Sequence, residues 1–229
     1  MLKCDFHMHT KEDPSDTWIT YSAFDLIDYA AKLKFDVLAF THHRKFIFDE
    51  EWRAYAKKKG ILLIPGVEAS IEGKDVLVLN ATKEIEKVKT FEELRKFKKK
   101  HPEIFILAPH PFYPRRYCLQ KKLFEHMELF DGIEYCHYYN VAFNAYNKKA
   151  AKIADQYNKP LIGTSDAHQF IQFGNTYTLI DAEKNTLSVF TAMKERKVAV
   201  KTKPLSFLDS LRAIIPLITK RIKGKLMGK

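Results

Sequence analysis

Leu2-Lys3-Cys4-Asp5-Phe6-His7-Met8-His9-Thr10 opens the chain as a short apolar strand that runs on without a glycine-rich turn. That decides the fold reading, because an open, doubly wound nucleotide-binding sheet carries such a turn directly after its first strand. The same stretch sets His7 and His9 two residues apart. Residues i and i+2 of a strand share a face, so the two imidazoles project together, about 6–7 Å apart along the chain, as two ligands of one metal ion would. The pair alone is weak evidence, and the rest of the chain has to supply matching ligands.

Working outward, apolar runs at 4–9, 36–41, 61–67, 75–80, 104–109, 132–136, 160–165 and 177–180 alternate with helical patterns at 22–33, 49–59, 91–100, 119–129, 142–157 and 186–197. Such alternation predicts parallel strands joined by right-handed crossovers. With about seven or eight repeats, it favours an α/β barrel in one domain over an open sheet. No internal repeat or linker divides the barrel region, taken as residues 1–203. From Ser206 the pattern changes: Phe207, Leu208, Leu211, Ile214, Ile215, Ile218 and Ile222 recur at helical spacing. Ser206 and Asp209 resemble a capping box, Pro216 should kink the helix, and Lys220, Arg221, Lys223, Lys225 and Lys229 follow. Residues 204–229 are therefore expected to form an amphipathic, basic C-terminal helix. It either packs on the barrel or serves as a contact for nucleic acid, a partner or a membrane surface.

At 229 residues, 46% hydrophobic and 13% aromatic, the chain is globular in composition. Cys4, Cys118 and Cys136 lack paired zinc spacing and read as reduced, buried thiols of a cytoplasmic protein. Asp5 and His7 interrupt any N-terminal signal, and no apolar run reaches the ~18 residues of a membrane-spanning helix. The formal charge of +11 favours polyanions. Part of it, however, sits in Lys57-Lys58-Lys59 and Lys98-Lys99-Lys100, at expected helix C-termini where cations complement the helix dipole.

In a parallel barrel, chemistry sits at the C-terminal ends of the strands. Those ends carry His7 and His9, then Thr41-His42-His43-Arg44, Gly66-Val67-Glu68, Ala108-Pro109-His110-Pro111, and Ser165-Asp166-Ala167-His168. Five separate strand ends thus offer His, Glu or Asp, and random scatter seldom puts them all on one rim. Imidazoles mixed with carboxylates, without paired cysteines, suit Zn²⁺, Mn²⁺ or Fe²⁺. The donors are too many for one tetrahedral ion, so two or three divalent ions with a bridging carboxylate are expected. Such clusters lower the pKa of a bound water, polarise phosphoryl oxygens and stabilise a leaving oxygen.

In this order across residues 1 to about 170, the His-x-His strand, the Thr-x-His turn, Gly-x-Glu, Ala-Pro-His-Pro and Ser-Asp-Ala-His resemble the PHP family, the polymerase and histidinol phosphatase domain. The resemblance implies a distorted (β/α)7, TIM-like barrel holding up to three metal ions, usually a phosphoesterase. Carried over by position, it implies that His7, His9, Glu68 and Asp166 hold a first ion. Glu68 bridges to a second ion that His110 also binds, and His43 and His168 hold a third. Asp16 matches the remaining third-ion ligand, with Asp13 as the alternative in a slightly longer loop. Two departures stand out. Thr41-His42-His43 replaces the common Thr-Asp-His, which makes His43 the ligand and His42 a supporting or wall residue. Asp75 stands where relatives often have a histidine, and is either a ligand of the second ion or a turn residue.

Asp166, His168 and Glu68 are the expected catalytic residues, and Arg44, Arg115 and Arg116 the expected phosphate-binding ones, since a guanidinium grips phosphate at two points. His137 could face the site, and Tyr113, Tyr117, Tyr138 and Tyr139 could stack on a substrate or merely line loops. His101 and His126 read as surface residues. The expectation is a metal-dependent phosphoesterase acting on a small phosphorylated substrate through activated hydroxide. A nuclease acting on DNA or RNA ends is the main alternative. Further alternatives are an amidohydrolase, whose barrel also begins with His-x-His, and a non-catalytic RNA-binding barrel.

Overall fold

Strands form where the apolar runs sit, and the computed structural model describes residues 1–136, 139, 144–206 and 208–213. Among the described residues the nine strands are β1 (Leu2–Asp5), β2 (Val37–Phe40), β3 (Leu62–Ile71), β4 (Lys74–Leu79), β5 (Phe105–Ala108), β6 (Gly132–Cys136), β7 (Leu161–Thr164), β8 (Thr176–Ile180) and β9 (Val198–Thr202). They make one sheet in the order β7-β6-β5-β4-β3-β2-β1-β8-β9. The helices are α1 (Ala23–Lys32), α2 (Glu50–Lys58), α3 (Phe91–Lys100), α4 (Lys121–Glu125), α5 (Ala145–Gln156) and α6 (Thr186–Lys194). Ser22 with Asp25, and Thr90 with Glu93, close capping boxes on α1 and α3, while the lysine runs finish α2 and α3.

The sheet curls into a nearly closed barrel, but not an all-parallel one. β1–β2–β3 and β5–β6–β7 pair in parallel, whereas β4 is antiparallel to both neighbours. Only Glu72 and Gly73 separate β3 from β4, and both have positive φ (50° and 73°). This is too short for a crossover and suits a two-residue hairpin. β8 is antiparallel to β1, and β9, which the apolar pattern did not reveal, pairs antiparallel with β8.

Cys4, Phe6, Val37, Ala39, Ile64, Leu77, Leu79, Phe105, Leu107 and Ile162 belong to one buried cluster, into which α6 packs Val189, Phe190 and Met193. At the seam between β7 and β8, Thr178 Oγ1 donates to the Gly163 carbonyl at 2.9 Å. A Cβ on Gly163 would lie 2.8 Å from both the Tyr177 carbonyl oxygen and Val200 Cγ1. Gly163→Ala should therefore destabilise the barrel by about 1–3 kcal/mol, read as a lower urea midpoint at unchanged slope. An unchanged midpoint would contradict this account of the seam.

Ser206 caps a helical turn over residues 208–213, with Asp209 N donating to Ser206 Oγ at 3.1 Å. The rest of the expected C-terminal basic helix (207 and 214–229), together with His137 and Tyr138, lies outside the described residues. Among the described residues no helix is long and apolar enough to cross a membrane.

Candidate metal centre

β1 stops at Asp5, and His7 and His9 follow in an extended segment rather than in the strand itself. The alternation survives because Met8 bridges Ala167 and His9 N donates to the Ala167 carbonyl at 3.0 Å. The two rings end with centroids 5.2 Å apart. The Asp5 carboxylate fixes this segment by accepting from His7 N at 3.3 Å and Ser165 N at 3.1 Å, and burial pushes its pKa up to about 7. At the end of β2, Thr41 N donates to the Met8 carbonyl, and His43 bridges Glu68. Gly66 permits that approach, since a Cβ there would lie 2.9 Å from Thr41 Cγ2 and 3.0 Å from the Phe40 carbonyl oxygen. His110 (φ 28°) and Asp166 (φ 45°) adopt the left-handed region without being glycine, backbone strain that elsewhere concentrates at functional sites.

These turns gather His7, His9, His43, Glu68, His110, Asp166, His168, Asp16 and Asp13 into one continuous cluster. His7 Nε2 lies 3.4 Å from Glu68 Oε2 and 3.3 Å from Asp166 Oδ1; His9 Nε2 lies 3.5 and 3.4 Å from the same two oxygens. A tetrahedron of N and O donors, each 2.0–2.1 Å from a zinc-sized ion, has edges of about 3.3–3.4 Å. His7 Nε2, His9 Nε2 and Glu68 Oε2 are buried and have no hydrogen-bond partner. Buried polar atoms at that spacing, with no hydrogen bond to satisfy them, fit a divalent cation held between them. Glu68 faces two ways: Oε2 turns to this set and to His43 Nε2 (3.1 Å), while Oε1 lies 3.1 Å from His110 Nε2. At the other flank His168 Nε2 lies 3.0 Å from Asp16 Oδ2.

Each of the five histidines turns Nδ1 outward to a partner. His7 donates to Glu134 Oε1 (2.7 Å), His9 and His43 to Asp13 Oδ2 (2.9 and 2.8 Å), and His168 to the Asp166 carbonyl (3.0 Å), while His110 Nδ1 meets Cys118 Sγ at 3.3 Å. Carboxylates and carbonyls can only accept, so in His7, His9, His43 and His168 Nδ1 carries a proton and Nε2 faces inward, the usual arrangement of metal-binding histidines. The metal-free cluster holds its charge by compensation. Burial opposes ionisation, yet Asp166, Glu134 and Glu68 hold His7 well above its ordinary pKa, and Glu68 and Asp13 raise His43 to about 9. Against the same burial penalty, His7 and His43 hold Glu68 well below the usual carboxylate range. A cation would replace those protons and release them on binding.

The other candidates stand further out. Asp75 is buried opposite Ser70 on the Glu68 face, and burial with the Glu68 charge pushes its pKa up to about 7, but it joins none of the ligand groupings. Arg44 is exposed and lines a cavity of about 260 Å³ with Ser70, Glu86 and Lys89. Arg115 and Arg116 are exposed on the loop between His110 and Cys118, where Tyr117 meets the His110 ring edge-on. His101 and His126 are half-buried rather than surface residues, packed on Phe97 and Phe91. Sequence reasoning passed over Glu134, Cys118 and Trp18. Trp18 Nε1 donates to Asp16 Oδ1 at 3.0 Å, and its ring lies parallel to His168.

His42 faces away from the cluster, its Nε2 2.7 Å from Thr10 Oγ1 and its ring against Phe40 and Trp52. Burial pushes its pKa down from 6.5 to about 4. Between those values the unfolded chain binds a proton that the folded one refuses, so stability falls as pH drops from 6.5 toward 4, by about 3 kcal/mol. Urea melts of metal-free protein at pH 6.5 and 4.5 should show a shallower loss in His42→Gln than in wild type. Equal losses would contradict this assignment.

A family model described as PHP-associated matches residues 144–198, the stretch that carries Asp166 and His168. No curated protein matches the chain in sequence. Among solved structures, a two-domain protein from Bacteroides vulgatus containing a predicted PHP-like metal-dependent phosphoesterase is 24% identical. The match covers 93% of this chain and 69% of that one, with a TM-score of 0.69. PsfC from Pseudomonas syringae is 16% identical over 96% of this chain and 98% of its own, with a TM-score of 0.64. An amidohydrolase from Chromobacterium violaceum, with bound sulfate and no metal, is 15% identical over 72% and 87%, with a TM-score of 0.53. Identities this low establish a shared fold.

Proposed function

We propose, from the PHP family that the ordered motifs, the PHP-associated match and the shared fold support, that this chain is a metal-dependent phosphoesterase acting on a small phosphorylated substrate. The coarser class, a metal-dependent hydrolase, is common to these lines of support. The observation that carries the reading is the set of orphaned Nε2 and carboxylate atoms at tetrahedral-edge spacing, continued on both flanks by further donors. His7, His9, Glu68 and Asp166 would hold a first ion, Glu68 and His110 a second with Asp75 alongside, and His43, His168 and Asp16 a third. Nitrogen and oxygen donors without thiolate suit zinc, manganese or iron. Bound there, such ions supply an acidified water and charge to offset that developing on phosphoryl and leaving oxygens.

The chain's own residues do the rest. Glu68 and Asp166, held ionised by the surrounding histidines, set a negative frame that keeps cations in register. Asp166 or His168, at the rim, is the group to pass a proton between water and the leaving oxygen. Arg115 and Arg116, on the loop beside His110, are the guanidiniums to grip the phosphate, while Arg44 stands to one side.

The charge of +11 favours a second reading, an exonuclease. Metal-restored protein offered sugar phosphates, nucleotides and short oligonucleotides separates the two. Turnover of monoesters with weak salt dependence supports the small substrate. Turnover of oligonucleotides alone, falling steeply with salt, supports the nuclease, and hydrolysis of amides without phosphate esters sinks both.

A further inference from the structure

Of the partners that hold the cluster's histidines from behind, one serves two rings. Asp13 Oδ2 accepts from His9 Nδ1 at 2.9 Å, from His43 Nδ1 at 2.8 Å and from the His43 backbone N–H at 2.9 Å. Its other oxygen, Oδ1, accepts from Ser15 N at 2.8 Å. The backbone extends the same turn: Asp13 N donates to the Thr10 carbonyl and Asp16 N to the Asp13 carbonyl, which delivers Asp16 to His168. Asp13 is completely buried, and three of these four donors converge on Oδ2, which turns the carboxylate to the backs of the two rings. Asp16, delivered by the same turn, sets its Oδ2 3.0 Å from His168 Nε2 on the inward side.

We propose that Asp13 is a shared positioning residue, through which the affinities of the first and third ion sites depend on a single carboxylate. The proposal rests on the metal-cluster reading above. His9 belongs to the first set, and His43 and Asp16 to the third. Asp13 fixes the tautomer and tilt of both rings and the turn that carries Asp16. The His9 ring also stacks between those of His43 and His168, with centroids 4.2 Å from each, so a tilt of His9 is felt by both neighbours. Glu134 plays the corresponding part on the far flank, accepting from His7 Nδ1 and from the His110 backbone N–H. Hence loss of Asp13 leaves the second site's supports in place.

Asparagine cannot substitute, because its NH₂ group must face either Ser15 N–H or the histidine N–H groups, donor against donor. Full-length wild type, Asp13→Asn and Asp16→Asn would be stripped with a chelator and titrated with Zn²⁺, following heat and bound metal. Asp13→Asn should weaken two ions by roughly tenfold to a hundredfold each, and Asp16→Asn only one. In nitrogen-15 spectra of the zinc-loaded protein, the ring N–H signals of His9 and His43 should both be lost in Asp13→Asn while that of His7 persists, a readout that general loosening would not give. Weakening of one ion or none in Asp13→Asn overturns the proposal. If that variant does not fold, chelation of wild type decides: two ions leaving in one phase supports the shared carboxylate, and each ion leaving in its own phase overturns it. Wild type that binds no zinc sinks the metal reading itself, a different failure.

Discussion

Glu68→Gln should lower turnover of a phosphate ester by roughly a hundredfold to a thousandfold, the scale of removing one electrostatic element from a preorganised site. The reason is geometric. The two oxygens of Glu68 face the rings of different histidine sets, His7, His9 and His43 on one side and His110 on the other. Glutamine keeps the volume and an acceptor oxygen but turns an NH₂ toward one of those sets and removes the charge that balances two raised histidines. The fold should survive, because Glu68 stays anchored by its backbone, N–H to the His42 carbonyl and carbonyl from Arg44 N. Assay of the variant with excess Zn²⁺ or Mn²⁺, alongside circular dichroism, checks this. Turnover within a few-fold of wild type would sink the bridging role.

Glu134→Ala should be the most damaging single change to the protein as a whole. Glu134 is completely buried and accepts from His7 Nδ1, the His110 backbone N–H and Thr164 Oγ1. Truncation leaves three donors unpaired in the interior, and breaking a buried charged pair costs about 3–5 kcal/mol. It also frees His7 to rotate, and loss of such an outer partner weakens metal binding by roughly tenfold to a hundredfold. Glu134→Gln keeps an acceptor and should lose less stability while still binding metal poorly. Thermal melts and metal titrations of both variants check the order. If Glu134→Ala melts and binds metal as wild type does, the histidine ring is held by something else.

How much was legible follows from where each residue sits. The inward donors are short-range signals: each stands within an apolar run or at most three residues past one, so a sequence scan finds His7, His9, His43, Glu68, His110, Asp166 and His168 together. The outer partners are not of that kind. Glu134 meets His7 across 127 residues, and its only local mark is a charge in the middle of the buried run Gly132-Ile133-Glu134-Tyr135-Cys136. Cys118 looked like an ordinary buried thiol. Its contact with His110 comes from the intervening loop folding back, with Asp75 N donating to the Tyr117 carbonyl and Lys74 Nζ to those of Arg116 and Cys118. Asp13 and Asp16 could not be told apart by spacing. What distinguishes their surroundings is the set of ring and backbone N–H groups converging on Asp13 Oδ2, a tertiary property. Strand direction was misread where a two-residue turn replaced a crossover. β9 was missed because its partly exposed Val-Ala-Val-Lys-Thr run carries little apolar periodicity of its own.

The most direct test of the central claim, that the inward-facing Nε2 and carboxylate atoms are a multinuclear metal site, is the metal content of purified full-length chain after equilibration with Zn²⁺ or Mn²⁺ and removal of free ion. About two to three tightly held divalent ions per chain are expected, with all or most lost in Glu68→Ala while circular dichroism is unchanged. A folded wild-type chain that retains no stoichiometric metal would contradict it.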